Sequence, residues 1–282
     1  MTEETIFVAN AQKGKNAWWR YLLTVVLGFA VQVVVVVAVV IGLMLAGVST
    51  AELLRDAQDP ARSITFFGTI GASFALLLVG FVWGGAWLHK KSFSDFIGDW
   101  QWGGFAFGVV GWLVLLVVGT VIDYLVRPGG FTVSPVGLTP VAVAVTCVAL
   151  AVQTFTEEFI FRGWATQGLL RLTRRPVVSA VISGLIFGAC HIPNGVFQAI
   201  SAGLLGIALA LIAIRTGGLA FGYGLHLINN LFGALIVVSG ADVFKGAPAV
   251  FVQNTPGLDV MDLAVVVVAL VGLVWIVYRR KG

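Results

Sequence analysis

The chain has 282 residues, of which 59% are apolar and 11% are charged, and its net charge is +4. A soluble domain carries about 25% charged residues, so this composition excludes a soluble globular protein. The basic residues stand in short clusters between long apolar stretches, which indicates orientation in a membrane and argues against a nucleic-acid partner.

Eight apolar runs follow an N-terminal tail of residues 1–20. A bilayer core needs about 20 helical residues per crossing, and open sheet edges do not survive in lipid. We therefore expect an all-α fold, a polytopic membrane protein of about eight transmembrane helices in which residues 21–282 form a single transmembrane domain. The runs are residues 21–47, 64–89, 103–126, 139–172, 177–191, 195–214, 219–240 and 260–278.

The basic residues are divided unevenly between the two sides that eight helices define. Twelve lie on the side of the termini: Lys13, Lys15, Arg20, Lys90, Lys91, Arg171, Arg174, Arg175, Arg215, Arg279, Arg280 and Lys281. Four lie on the other side: Arg55, Arg62, Arg127 and Lys245. Because Lys and Arg are enriched in cytoplasmic loops, this asymmetry predicts a multi-pass protein of the cell membrane with both termini in the cytoplasm.

The fourth run contains three charged residues that a bilayer interior disfavours. A charge at mid-bilayer costs about 2.5–3.5 kcal/mol, so it needs a partner and indicates a function. Glu158 and Arg162 are four residues apart with the acid first, which predicts an ion pair on one helix face. Glu157 lies about 100° further round the helix, and we expect it to face a cavity.

Two later runs bring polar side chains to a similar depth. At about 1.5 Å of rise per residue, Glu157, His191 and Asn230 lie about 21–22 Å from the basic ends of their helices, and His226 about 16 Å. His226 and Asn230 are four residues apart and share a helix face. The convergence of three helices predicts one intramembrane active site.

Other polar residues are predicted to be structural or solvated. His89 stands beside Lys90 and Lys91 at the end of a run, and we expect it to be solvated at the membrane interface. Asp123 and Arg127 are four residues apart and are expected to pair at the surface. Asn229 lies off the face of His226 and is expected to serve helix packing.

The polar residues stand in three short motifs. Residues 157–162 fit the pattern E-E-x-x-x-R, residues 187–191 fit F-x-x-x-H, and residues 226–230 fit H-x-x-x-N. In this order the motifs resemble those of the CPBP family of intramembrane proteases, which includes the CAAX prenyl proteases and the bacterial Abi proteins linked to bacteriocin self-immunity. The resemblance covers residues 139–240, which would form the protease-like core.

The resemblance implies an intramembrane endopeptidase that hydrolyses a peptide bond of a membrane-associated or prenylated protein. By position, Glu157 and His191 would activate the attacking water, and His226 and Asn230 would stabilise the oxyanion. Three further residues would support the site: Glu158, Arg162 and Phe187. Its partners would be a membrane-embedded or lipid-modified polypeptide substrate and the lipid bilayer.

The sequence leaves two questions open. Glu157, His191 and His226 could form a three-ligand zinc site of a metalloprotease, or the same residues could act without a metal. Asn230 beside His226 favours the metal-free alternative, because Asn is an unusual zinc ligand. The second question is whether the protein is catalytic, since an immunity partner or scaffold is the main alternative; a transporter fits less well, because no paired halves with broken helices are evident.

Overall fold

The computed structural model describes residues 5–240, 243–254 and 260–279. Within these residues the regular secondary structure is helical apart from three short strands. The helices are α1 Ile6–Gln12, α2 Trp18–Leu45, α3 Thr50–Asp56, α4 Ser63–Trp87, α5 Phe93–Ile97, α6 Trp102–Val126, α7 Pro140–Glu157, α8 Gln167–Thr173, α9 Pro176–Cys190, α10 Val196–Thr216, α11 Ala220–Leu235 and α12 Val260–Arg279. The strands are β1 Phe131–Val133, β2 Val237–Ser239 and β3 Phe251–Gln253. Short 3₁₀ turns occupy Pro128–Gly130 and Ile192–Asn194.

Each of the eight apolar runs coincides with a helical segment, which confirms an all-α polytopic membrane protein. Five segments are long and apolar enough to cross a bilayer: Trp18–Leu45, Ser63–Trp87, Trp102–Val126, Pro140–Thr173 and Val196–Thr216. Two shorter apolar helices are Pro176–Cys190 and Leu263–Arg279, and α11 has 16 residues. The number of crossings, about eight, stays a prediction.

Glycines bring the motif-bearing helices close to their neighbours. A Cβ atom added to Gly188 of α9 would lie 2.7 Å from the carbonyl oxygen of Ala199 in α10. A Cβ atom on Gly108 of α6 would lie 2.3 Å from the carbonyl oxygen of Phe221 in α11. Only glycine permits these approaches, which hold the helices that carry His191 and His226 at short interhelical distances.

The segment that carries the first motif departs from a regular α-helix. Between α7 and α8 the chain forms a π-helix from Glu158 to Thr166, a geometry that is often found at functional sites. The carbonyl oxygen of Phe161 accepts hydrogen bonds from the hydroxyls of Thr166 and Ser183, both at 2.8 Å. Ser183 belongs to α9, so the π-helix is tied directly to the helix that precedes His191.

The three strands form a small sheet that the sequence analysis did not predict. β3 lies in the middle, antiparallel to β1 and parallel to β2. The seventh apolar run therefore ends as a helix at Leu235, and its last residues pair as a strand. Gln253 of β3 donates to Asp123 of α6, which also forms the predicted ion pair with Arg127.

The N-terminal segment packs against the helical bundle from residue 6 onward. Phe7 and Ala11 are fully buried in a cluster with residues of α8, α9 and α10. Thr5 donates a hydrogen bond of 2.9 Å to the carbonyl oxygen of Ile214 at the end of α10. Phe7 and Ala11 are four residues apart and lie on one face of α1, which is buried against the bundle. Residues 6–12 therefore belong to the folded core.

The expectation that His89 is solvated is wrong, because its side chain is fully buried. Its Nδ1 atom lies 3.1 Å from the carbonyl oxygen of Lys15, and the indole Nε1 of Trp164 lies 3.4 Å from its Nε2 atom. An indole N–H can only donate, so Nε2 accepts and the proton resides on Nδ1. Burial lowers the pKa of His89 to about 4, and the nearby cations Lys91 and Arg20 lower it further.

We predict that acidification destabilises the protein through His89. Because the folded pKa of about 4 lies below the ordinary value of 6.5, the unfolded chain binds the proton first. The contribution is fully present above pH 6.5 and is lost as the pH falls toward 4. Thermal unfolding in detergent should show Tm falling more steeply over this window in the wild type than in His89→Gln. Equal slopes would contradict the assignment.

Candidate active site

The imidazole of His226 lies between two adjacent carboxylates. Its Nδ1 atom is 2.8 Å from Oε1 of Glu158, which is a hydrogen bond, and its Nε2 atom is 3.6 Å from Oε2 of Glu157, which is beyond hydrogen-bonding distance. The exposed fractions are 4% for His226, 7% for Glu157 and 0% for Glu158. The site therefore joins the first motif on α7 and the π-helix to the third motif on α11.

The predicted ion pair of Glu158 and Arg162 is present, but Glu158 has a second partner. Nη1 of Arg162 lies 3.1 Å from the same Oε1 atom that binds His226. This contact is an ion pair without a hydrogen bond, because the N–H groups of Arg162 do not point at the carboxylate oxygen. None of the three guanidinium nitrogens forms a hydrogen bond within the part of the chain that the structure describes. Glu158 is thus more than a partner for Arg162, because it also orients His226.

The ring of Phe187 packs between three groups of the site. The guanidinium carbon of Arg162 lies 4.3 Å from its centroid, a cation–π contact that stabilises the buried charge. The imidazoles of His191 and His226 lie 4.5 Å and 5.8 Å from the same centroid. The predicted supporting role of Phe187 consequently has a physical basis in ring packing.

His191 stands at the C-terminal end of α9 and is partly exposed. Its Nδ1 atom lies 2.8 Å from the carbonyl oxygen of Phe187. A carbonyl oxygen can only accept, so Nδ1 carries a proton, and in the neutral ring Nε2 keeps a lone pair. Its ring packs on Phe187, which also contacts His226, so the second motif adjoins the cluster formed by the first and third motifs.

The hydrogen bond of His226 to Glu158 also determines which atoms of His226 can donate. An ionised carboxylate accepts only, so Nδ1 of His226 carries a proton. The Nε2 atom, which faces Glu157, is then a donor only when the ring is an imidazolium. When both carboxylates are ionised, they and the guanidinium of Arg162 carry one excess negative charge, which an imidazolium at His226 balances.

Asn230 is on the predicted helix face, but its amide is directed at α7. Nδ2 of Asn230 lies 3.1 Å from Oγ1 of Thr154 and 3.2 Å from Oε1 of Gln153. The sequence analysis missed both partners. Gln153 could have been found, because it is a polar residue in an apolar run, four residues before Glu157 and therefore on the same helix face.

Asn229 has the packing role that the sequence predicted. Its Oδ1 atom accepts a hydrogen bond of 3.1 Å from the indole Nε1 of Trp112 in α6. Its Nδ2 atom donates to Oδ1 of Asn230 at 3.3 Å. Asn229 therefore links α6 to the polar side of α11.

The predicted ligands do not fit a three-ligand zinc site in this arrangement. Among the described residues, no group of three or more His, Cys, Asp or Glu side chains could hold a metal ion. Glu157 and His226 face each other at 3.6 Å, but His191 does not join them at a common point.

A cavity of about 390 Å³ lies away from these residues. It is bordered by the first turn of α4 at Ser63 and by Thr139, just before α7, together with Val136 and Pro248. Glu157 is the last residue of α7, so this cavity opens at the other end of the same helix. We do not assign the chemistry to it.

The comparison with known proteins supports the motif assignment. The family model described as Type II CAAX prenyl endopeptidase Rce1-like matches residues 139–232, a range that contains all three motifs. The chain is also similar to the uncharacterized protein YyaK of Bacillus subtilis (strain 168), with 23% identity over 255 residues that cover 85% of this chain and 84% of the relative. No solved structure matches. The family match confirms the resemblance inferred from the motifs.

We predict that removing one partner of the buried ion pair destabilises the fold. Arg162→Met leaves the shared Glu158 carboxylate with one positive partner fewer, and breaking a buried pair in this way costs about 3–5 kcal/mol. The double variant Glu158→Gln, Arg162→Met removes both charges and should recover part of the loss. Tm and folded yield in detergent measure both effects. A single variant as stable as the wild type would show that the pair is not structural.

Proposed function

We propose that the protein is an intramembrane endopeptidase of the CAAX protease type, which hydrolyses a peptide bond of a membrane-embedded or lipid-modified polypeptide. The observation that carries this proposal is the buried Glu157 carboxylate opposite Nε2 of His226, within the region that matches the endopeptidase family model. Oε2 of Glu157 has no hydrogen-bond partner among the described residues, so it is available to accept a proton.

Glu157 acts as the general base in this proposal. Peptide hydrolysis requires a base for the attacking water and donors for the negative charge that develops on the carbonyl oxygen. The water gives one proton to Glu157 while its oxygen bonds to the carbonyl carbon. The proton then passes to the leaving amine as the C–N bond breaks. Nε2 of His191, which keeps its lone pair, accepts a second hydrogen bond from the same water.

His226 serves as an electrostatic donor to the oxyanion. In the imidazolium form its Nδ1–H donates to Glu158 and its Nε2–H is directed into the site. The adjacent carboxylates stabilise this cation where solvent is excluded. Arg162 packs on Phe187 and pairs with Glu158, and Glu158 in turn orients His226.

Glu157→Gln should abolish cleavage without unfolding the protein, because glutamine keeps the size of the side chain but cannot take the proton. General-base effects are about 10²–10⁴-fold. The assay is cleavage by the purified protein of a prenylated CAAX peptide and a panel of membrane-protein substrates, with Tm measured alongside. Glu52→Gln, a change at an exposed glutamate of α3, is the matched control. Full activity of Glu157→Gln would refute the mechanism.

A chelator in the same assay distinguishes the two catalytic types. The glutamate mechanism predicts unchanged activity after a zinc chelator. Loss of activity that added zinc restores would contradict the metal-free assignment and place Glu157 and His226 among metal ligands.

The basic end of the bundle is proposed to face the cytoplasm. Contacts between several of the segments predicted as cytoplasmic support this orientation. Lys13 pairs with Asp95, and Lys91 donates to Gln167. Arg215 lies over the ring of Tyr278. These contacts join α1, the α4–α5 connection, α8 and the ends of α10 and α12.

We predict that the loop before α7 is external and the end of α8 is cytoplasmic. In a variant without Cys147 and Cys190, a membrane-impermeant thiol reagent on intact cells should label Gly137→Cys. The same reagent should label Leu172→Cys, an exposed position in α8, only after lysis. The reverse labelling pattern would invert the orientation, and equal labelling of both would place the two positions on one side.

A further inference from the structure

A continuous row of hydrogen bonds runs from α6 to α7 beside the proposed active site. The indole Nε1 of Trp112 donates to Oδ1 of Asn229 at 3.1 Å, and Nδ2 of Asn229 donates to Oδ1 of Asn230 at 3.3 Å. Nδ2 of Asn230 then donates to Oε1 of Gln153 at 3.2 Å. Three side-chain amides are thereby linked head to tail.

The first member of the row determines the orientation of every amide that follows. An indole N–H can only donate, so Asn229 accepts through oxygen and must donate through nitrogen. The same reasoning orients Asn230 and then Gln153. Thr154 reinforces this arrangement, because its hydroxyl accepts from Asn230 at 3.1 Å and donates to Oε1 of Gln153 at 3.2 Å.

The row ends in a donor without a partner. Oε1 of Gln153 receives two hydrogen bonds, while its Nε2 group contacts no acceptor within residues 5–240, 243–254 and 260–279. Nδ2 of Asn230 donates to both Gln153 and Thr154, whose acceptor oxygens lie 3.2 Å from each other. Gln153 is partly exposed and therefore accessible to a bound molecule.

Gln153 and the proposed general base are both directed toward α11, since Gln153 contacts Asn230 and Glu157 faces His226. Gln153 precedes Glu157 by four residues in α7, and side chains at this spacing are neighbours on one helix face, with Cβ atoms about 5–6 Å apart. The free amide protons of Gln153 thus border the same space as the proposed general base.

We propose that Gln153 is a further catalytic residue, which donates its Nε2–H to the carbonyl oxygen of the scissile peptide bond. Asn229 and Asn230 orient Gln153 through the row of hydrogen bonds, and Gln153 thus adds a donor beside the oxyanion contact of Asn230 that the family resemblance implies. This inference rests on the endopeptidase function proposed above, because the carbonyl oxygen belongs to its substrate.

Two substitutions separate donation by Gln153 from mere support of Asn230. Gln153→Glu keeps an acceptor oxygen for Asn230 and Thr154 but removes the N–H donors, whereas Gln153→Met removes both functions. A catalytic donor predicts that both variants lose about 10²–10³-fold in kcat, with Tm near that of the wild type. A supporting role predicts that Gln153→Glu remains active and only Gln153→Met is impaired.

The comparison is made on the plateau of each variant's pH profile, because a carboxylate at 153 perturbs the titration of Glu157. Gln153→Asn, which retains the donor on a shorter side chain, should keep more activity than Gln153→Met at similar Tm, and it provides the second comparison if Gln153→Glu does not fold. Wild-type kcat in Gln153→Glu, with Glu157→Gln inactive, overturns the inference and leaves the proposed function intact. A wild type that cleaves no substrate overturns both.

Discussion

The Glu158 carboxylate lies in an apolar bundle, where no bulk solvent stabilises its charge, and the rest of the site depends on how that charge is compensated. One oxygen, Oε1, lies 3.1 Å from Arg162 and 2.8 Å from His226. Phe187 covers the guanidinium, and Glu157 faces the far nitrogen of the imidazole. The buried cluster becomes neutral when His226 is an imidazolium, which is also the form that donates through Nε2. Compensation of charge and orientation of the donor thus have the same structural cause.

Much of the site follows from helical spacing in the sequence. A separation of four residues places Glu158 with Arg162 and His226 with Asn230, because both pairs lie on helices whose faces are determined by the backbone period. The bond between Glu158 and His226 could not be predicted, since it depends on how the first-motif helix is rotated against α11. Glu158 is the first residue of a π-helix, and no sequence pattern in residues 158–166 predicts that geometry. Gln153 is recognisable as a polar residue in an apolar run, but its bond to Asn230 could not be predicted, because Asn230 lies on α11.

The sequence predicts the apolar helices within the bilayer well, but it predicts the contacts at the ends of the bundle less well. Apolar runs must form helices, because backbone groups in lipid have to be satisfied within the segment. The burial of His89, by contrast, results from contacts with Lys15 and Trp164, which are distant in sequence. Adjacent basic residues indicate exposure to solvent, and composition alone cannot show that Lys15, Tyr21 and Thr24 pack against His89. The three-residue strands are likewise too short to leave a period in the sequence.

The measurement that tests the central claim most directly is a single turnover of the purified protein in heavy-oxygen water, with a cleavable membrane substrate. If Glu157 activates a water molecule, the new carboxyl group of the product acquires one heavy oxygen in that first turnover. An unlabelled product would mean that a side-chain oxygen of the protein attacks the peptide bond itself, and the assignment of Glu157 as general base would be wrong.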